Sequence, residues 1–259
     1  MNNGNDQTAI TGKKIFFLYP SALIQNEIAA ELIQRELEVY IIKDHVKLRR
    51  ILKKYPDSIV WVNIDNGMSE KEWDTWIRNV LADSATANIA LGVFSSENNG
   101  VLVHKYIDII KIKCGYVVVK TDTKNSIIQV LTNLKNVDAW GRRKYIRVTS
   151  DNEALTTVNL PYNNDFIKGV IKDISVAGLS CFFPVDPNID KNSLISNIQI
   201  KLQSMLLKAE GIVFGSRMDG LTKIYVLIFT QRTDPEVRVK IRKFIHASLQ
   251  ARMDAEMNV

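Results

Sequence analysis

The sequence predicts two domains: an α/β domain with a doubly wound parallel sheet, then a six-stranded antiparallel β-barrel with a C-terminal helix. Apolar runs and helix-like periods alternate through the first half of the chain. Beyond residue 134 the pattern changes to short segments of alternating apolar and polar residues. The chain closes on an amphipathic stretch, and 259 residues suffice for two cores.

Five strand–helix units account for the first half. The run Ile59-Val60-Trp61-Val62 is apolar on both faces, which is typical of a parallel strand covered by helices on each side. The predicted strands are 14–19, 39–42, 59–64, 89–94 and 116–119. The predicted helices are 21–37, 46–54, 69–81 and 124–134, with a weaker one after the fourth strand. This order indicates an α/β domain over residues 13–135, preceded by a disordered N-terminus, 1–12.

The second half has the pattern of an antiparallel barrel. Residues 136–147 are predicted to be a linker, and residues 148–259 to form the barrel and the terminal helix. Asp219-Gly220 separates two strand-like runs and predicts a tight hairpin. Asp234 is a suitable N-cap for a helix that ends near Ala255. The predicted strands are 166–174, 178–183, 198–203, 211–218 and 223–229.

Composition and charge exclude several classes of function. The net charge is 34 − 28 = +6 and both signs are spread along the chain, so a surface for polymeric nucleic acid is not expected. No secretory signal and no long apolar run is present, and we expect a cytoplasmic protein without membrane insertion. Scattered histidines and the lack of a nucleophile or paired-carboxylate motif argue against an enzyme and a metal site. Cys114 and Cys181 are expected to be small buried residues.

Two short motifs in the second half carry binding chemistry. Four cationic side chains and no acidic one fall between residues 140 and 149, namely Arg142, Arg143, Lys144 and Arg147. Arginine donates bidentately to phosphate and stacks on aromatic bases. About 25 residues later stands Asp173-Ile174-Ser175-Val176-Ala177-Gly178, whose Asp and Ser can bond a purine edge, while its Gly permits close approach or a positive φ. Together the motifs predict a nucleotide pocket.

This combination resembles the PilZ family of cyclic di-GMP receptors, whose signature is Arg-x-x-x-Arg followed by Asp/Asn-x-Ser-x-x-Gly. All five positions match: Arg143, Arg147, Asp173, Ser175 and Gly178. The resemblance covers roughly residues 140–253 and implies a six-stranded barrel with a terminal helix. It implies cyclic di-GMP as the ligand, with no other cofactor.

The resemblance also implies a role for each motif residue. Arg143 and Arg147 would hold phosphates and stack on guanine, and Asp173 and Ser175 would read guanine edges. Gly178 would let the ligand approach. Relatives with a further arginine before the motif use it for an intercalated ligand dimer, so Arg142 is a candidate ligand to a second molecule. The run Ile224-Tyr225-Val226-Leu227 lacks a glycine often found in the last strand of the family.

The first domain resembles the receiver domains of two-component signalling. Asp65 follows the third strand at the phosphoacceptor position, Ser95 or Ser96 follows the fourth and Lys120 follows the fifth. Receivers carry an acidic pair after the first strand to hold Mg²⁺, whereas this chain has Tyr19-Pro20-Ser21. A degenerate receiver-like domain that binds an unidentified protein partner is therefore predicted.

These features favour a cyclic di-GMP receptor that changes its interdomain arrangement or partner binding when it captures ligand, and so controls motility, biofilm formation or virulence. Two alternatives stay open at this point. One is a ligand-free interaction scaffold with the PilZ fold, and the other is a response regulator phosphorylated at Asp65.

Overall fold

The computed structural model describes residues 10–150 and 155–259 of the chain, which divides into two compact units. The first, here called the α/β unit, comprises Met1–Lys144 together with Leu249–Val259. The second, the barrel unit, comprises Tyr145–Ser248. The division differs from the predicted ranges at the C-terminus, because the last eleven residues belong with the α/β unit and not with the barrel.

A five-stranded parallel sheet forms the centre of the α/β unit. Its strand order is β2-β1-β3-β4-β5, the flavodoxin-like order of doubly wound sheets. The strands are β1 (Ile15–Leu18), β2 (Val39–Ile42), β3 (Ile59–Asn63), β4 (Ala90–Ser95) and β5 (Tyr116–Val118). Helices follow as α1 (Ile24–Ala29, π-helical, continuing as Ala30–Gln34), α2 (His45–Lys54), α3 (Glu70–Ala82), α4 (Gly100–His104, continuing as π-helical Lys105–Ile109) and α5 (Lys124–Asn136). The predicted α/β architecture is confirmed.

Both faces of this sheet are buried, as the apolar strand sequences predict. Every residue of β1, β3 and β4 is buried. On one face Val60 and Val62 pack with Trp73 of α3, and on the other Trp61 stacks on Phe94 with ring centroids 4.6 Å apart. The two apolar clusters account for the covering of the sheet by helices on each side.

Residues of the predicted N-terminus and linker contact one another in the α/β unit. The prediction of disorder for residues 1–9 lies outside the described residues. Further along, Arg143 N donates to Ile10 O at 2.9 Å, and Lys13 N donates to Ala139 O at 2.9 Å. A Cβ at Gly141 would lie 2.2 Å from the amide nitrogen of Gly12, so these two segments touch through glycine backbone. Residues 139–143 are thus attached to the start of the α/β unit.

The barrel unit contains a closed antiparallel barrel of six strands. Closure follows from the order β8-β7-β10-β11-β12-β9, because β9 also pairs with β8. The strands are β7 (Thr156–Tyr162), β8 (Asp165–Ser175), β9 (Gly178–Phe182), β10 (Leu194–Leu202), β11 (Met205–Asp219) and β12 (Thr222–Phe229). A short strand, β6 (Val148–Thr149), adds to β8. The predicted six-stranded barrel is confirmed.

Local sequence signals account for most of the barrel's connections. Asp219 pairs with Thr222, and Gly220 has a φ of +60° in the two-residue turn of the predicted β11–β12 hairpin. The sequence pattern does not predict strand β7, because Asn159 and Pro161 weaken its alternation of β-forming residues. Pro161 lies near the end of the strand, where the pairing with β8 runs out to Tyr162.

The chain ends in α6 (Pro235–Met257), two residues longer than predicted. Its last part is built into the α/β unit. Met253 is buried in the cluster on one face of the parallel sheet. Ile41 N donates to Gln250 Oε1 at 2.9 Å, and Gln250 Nε2 donates to Ile41 O at 3.1 Å. Since β2 is an edge strand, the amide of Gln250 occupies backbone groups that would otherwise be open.

Candidate functional site

The basic motif meets the Asp-x-Ser motif where β6 pairs with β8. Thr149 lies opposite Asp173 in this ladder, which brings the preceding Arg147 alongside the same carboxylate. Nη1 of Arg147 lies 3.5 Å from Oδ1 of Asp173. The Arg147 side chain is 49% exposed and that of Asp173 is 18% exposed. An ion pair this exposed contributes little to stability, so its charges can engage a ligand at small cost to the fold.

The buried hydroxyl of Ser180 donates a hydrogen bond to the Asp173 carboxylate and fixes its orientation. The β8–β9 register shifts between Ile171 and Asp173, and after the shift Asp173 lies opposite Ser180. Ser180 is 2% exposed, and its Oγ donates to Oδ2 of Asp173. Bulges re-aim side chains, and here the shift places Asp173 between Arg147 and Ser180. The carboxylate therefore has a fixed orientation while part of it faces solvent.

Ser175 is the last residue of β8 and lies opposite Gly178, at the start of the tight turn to β9. It is 4% exposed, and its hydroxyl donates to Gly178 O at 3.2 Å and accepts from Ala177 N at 3.3 Å. These contacts close the turn. A role for Ser175 in reading a guanine edge stays a prediction, to which the structure adds this contribution to the shape of the turn.

Gly178 is required by the close approach of β12. A Cβ built there would lie 2.1 Å from Leu227 O and 3.0 Å from the Cα of Ile228. Gly178 is not among the residues with positive φ, so the backbone conformation itself does not demand glycine. Of the two reasons for a glycine that the sequence suggested, close approach holds, but the approaching group is a strand of the barrel. Approach of a ligand at Gly178 stays a prediction.

The six predicted ligand residues divide between the two units. Arg147, Asp173, Ser175 and Gly178 belong to the barrel unit and come together around β6, β8 and the following turn. Arg142 and Arg143 belong to the α/β unit, and both are exposed. The boundary between the units falls between Lys144 and Tyr145, inside the Arg-x-x-x-Arg motif.

Two residues at this site were not predicted, Ser180 and Arg238. Ser180 stands two positions after Gly178 in β9, but nothing in the sequence pairs it with Asp173. Arg238 lies in the first turns of α6, and its guanidinium donates to Val176 O at 2.7 Å and to Thr230 O at 2.8 Å. The only sequence signal for Arg238 is its place among the apolar positions of the terminal helix, three residues before Ile241.

The carboxylate of Asp65, at the receiver-like position of the α/β unit, accepts hydrogen bonds from two residues. Ser95 Oγ donates to Oδ1 of Asp65 at 2.8 Å, and Ser96 N donates to Oδ2 at 2.6 Å. Lys120 follows β5 and is exposed. In residues 10–150 and 155–259 no group of three or more His, Cys, Asp or Glu side chains could hold a metal ion.

Both cysteines are free and buried, as predicted. Burial raises the pKa of the Cys114 thiol to about 12 and raises the pKa of Cys181 as well. Neither forms a thiolate readily near neutral pH, so neither has the character of a nucleophile. No helix among the described residues has the length and apolar character needed to cross a bilayer.

No known family profile matches the sequence, and no curated protein matches it. Several solved structures match a part of the chain. YcgR in complex with c-di-GMP from Escherichia coli has 14% identity and a TM-score of 0.40, covering 47% of this chain and 53% of that one. The PilZ domain of YcgR with c-di-GMP has 16% identity and a TM-score of 0.37, covering 44% of this chain and 98% of that one. The K. pneumonia MrkH–c-di-GMP complex has 17% identity and a TM-score of 0.38, covering 47% and 57%.

The chain thus spans about half the length of the YcgR and MrkH structures that it matches. Its six strands close into an antiparallel barrel, the two motifs meet at β6 and β8, and a helix follows the last strand. The C-terminal part of the chain therefore has the six-stranded antiparallel barrel and terminal helix that the motif resemblance implies.

Proposed function

We propose that this chain is a receptor for cyclic di-GMP that binds the ligand in the barrel unit. The observation that carries the proposal is the half-exposed guanidinium of Arg147 beside the fixed carboxylate of Asp173. The chemistry is recognition, with no bond made or broken by the protein, and cyclic di-GMP is the only small molecule required.

The two charged groups suit the two parts of this ligand. A guanidinium donates to phosphate oxygens in a bidentate manner and stacks on a base, whereas a lysine acts as a point charge. A carboxylate only accepts hydrogen bonds, and the edge of guanine presents an amino donor. Because Ser180 occupies one oxygen of Asp173, the carboxylate has little freedom to turn away from a donor. The pair of Arg147 and Asp173 therefore favours an anionic guanine nucleotide over a neutral ligand or a plain anion.

A ligand that contacts both arginines of the motif would couple the two units. Arg143 belongs to the α/β unit and Arg147 to the barrel unit, so simultaneous contacts have different free energies in different arrangements of the units. Such differential affinity is the thermodynamic requirement for a switch. We propose that an unidentified protein partner reads the ligand-bound arrangement, with control of motility, biofilm formation or virulence as the output.

For the α/β unit we propose an interaction role in preference to phosphorylation at Asp65. Two observations support this choice. Ser95 and Ser96 already donate to both carboxylate oxygens of Asp65, and the segment after β1 reads Tyr19-Pro20-Ser21 where a receiver carries acidic ligands for Mg²⁺.

Replacement of Arg147 by alanine is expected to weaken cyclic di-GMP binding by more than tenfold. The reason is the loss of charge-assisted hydrogen bonds, each of which contributes about 1.5–3 kcal/mol. Arg143→Ala is expected to have an effect of the same kind. The measurement is calorimetric titration of each variant in the full chain.

The matched control is Lys201→Ala, which removes one exposed positive charge from β10, a strand that does not border β8 or β9. Its affinity should equal that of the parent. If Arg147→Ala and Arg143→Ala both bind as tightly as Lys201→Ala, the proposed site is wrong. If none of the proteins binds, the chain is a ligand-free scaffold.

A further inference from the structure

We infer that Arg238 is a positioning residue for the cyclic di-GMP site, acting through the turn between β8 and β9. The inference rests on the proposed function. Arg238 stands in α6, 62 positions along the chain from Val176, and has no place in the Arg-x-x-x-Arg or Asp-x-Ser motifs. In this role Arg238 raises the affinity of the site for cyclic di-GMP without contacting the ligand.

Its guanidinium joins two separate segments of the barrel unit. Nη1 donates to Val176 O at 2.7 Å, and Nη2 donates to Thr230 O at 2.8 Å. Val176 lies between Ser175 and Gly178 in the turn, and Thr230 directly follows β12. One planar fork therefore fixes the middle of the motif turn to the end of the neighbouring strand.

Within the described ranges, the guanidinium of Arg238 bonds to backbone and not to a carboxylate. Among the described residues no carboxylate lies within 4 Å of its guanidinium nitrogens, and its acceptors are both backbone carbonyls. Hydrogen bonds from a charged donor are about twice as strong as neutral ones. A lysine at this position would keep the charge but lacks the planar pair of donors that spans two carbonyls.

Two other features join this part of the chain to β12: the β9–β12 ladder, in which Gly178 lies opposite Ile228, and a hydrogen bond from Phe229 N to Ala177 O at 2.8 Å. Ser175 closes the turn internally but does not attach it to β12. Neither the ladder nor the Phe229 bond reaches Val176, so without Arg238 the first residue of the turn would lose its attachment to the end of β12 and would sample more conformations. A ligand that binds against this turn would then have to order it, and the conformational entropy that the turn loses lowers the affinity for the ligand.

The experiment compares Arg238→Ala and Arg238→Lys with Lys240→Ala in the full chain. Lys240 lies two residues further along α6 and pairs with Glu236 at 3.0 Å, with both side chains substantially exposed. This control removes the same charge from the same helix without reaching the turn. Each protein is titrated with cyclic di-GMP, and hydrogen exchange of the Phe229 amide reports on the attachment of the turn.

We expect about a tenfold loss of affinity in Arg238→Ala and in Arg238→Lys, and parent affinity in Lys240→Ala. Faster exchange at Phe229 should accompany the loss in both Arg238 variants. Parent affinity in Arg238→Ala, or full restoration by lysine, would overturn the positioning role while leaving the receptor intact. Absence of binding by the unmodified chain would instead overturn the proposed function, and this inference with it.

Discussion

Gly178→Ala is expected to lower the free energy of unfolding of the barrel unit by about 3 kcal/mol, the upper part of the range for overpacking. The added Cβ would lie 2.1 Å from Leu227 O, and backbone can yield only by a shift of a whole strand. β9 pairs with both β12 and β8, so a shift of β9 loosens the closure of the barrel and the motif turn together. Hydrogen exchange of the β9 and β12 amides across a denaturant series measures this effect.

Gly215→Ala is the matched control for this change. Gly215 also lies in a strand of the barrel, has no positive φ, and a Cβ built there meets no atom within 4 Å. We expect its exchange and unfolding to match those of the parent. Equal stability of the two alanine variants would show that β9 and β12 do not approach as closely as described.

Met253→Ala is expected to destabilise the α/β unit by about 2–5 kcal/mol, although residue 253 lies far beyond the barrel in sequence. Met253 is 3% exposed and packs in the cluster that contains Trp73 and Trp76. All four tryptophans belong to the α/β unit, so tryptophan fluorescence during urea unfolding reports on this unit alone. The midpoint should move to lower urea concentration.

Val259→Ala serves as the control for Met253→Ala, since Val259 is in the same C-terminal segment and is fully exposed. Its fluorescence midpoint should stay at the parent value. A Met253→Ala midpoint that also stays there would mean that the C-terminal residues are not part of the α/β core.

The parts of the fold that were predictable depend on local patterns. Burial of β3 on both faces follows from Ile59-Val60-Trp61-Val62, and the β11–β12 turn follows from Asp219-Gly220. That the C-terminal end of α6 packs in the α/β unit was not predictable. The apolar face of α6 continues at the same spacing into Met253, and periodicity tells which face is buried without telling which unit buries it.

The candidate site also contains residues that were predictable from the sequence and residues that were not. Arg147 and Asp173 were found because their residue types and spacing form recognisable motifs, and they do meet at 3.5 Å. Ser180 and Arg238 contribute through contacts between segments distant in sequence, which a single sequence does not encode in any local pattern. The need for a glycine at position 178 was predictable in part. Close approach of another group was expected, but the sequence did not indicate that this group is the backbone of β12.

Calorimetric titration of the unmodified chain with cyclic di-GMP, beside cyclic di-AMP, tests the central claim most directly. We predict saturable binding of cyclic di-GMP with a Kd of about 1 μM or tighter, equivalent to about −8 kcal/mol or better. Cyclic di-AMP should bind at least tenfold more weakly, because its adenine lacks the guanine amino donor that the Asp173 carboxylate would accept. Equal binding of both nucleotides, or no heat with either, would contradict the claim.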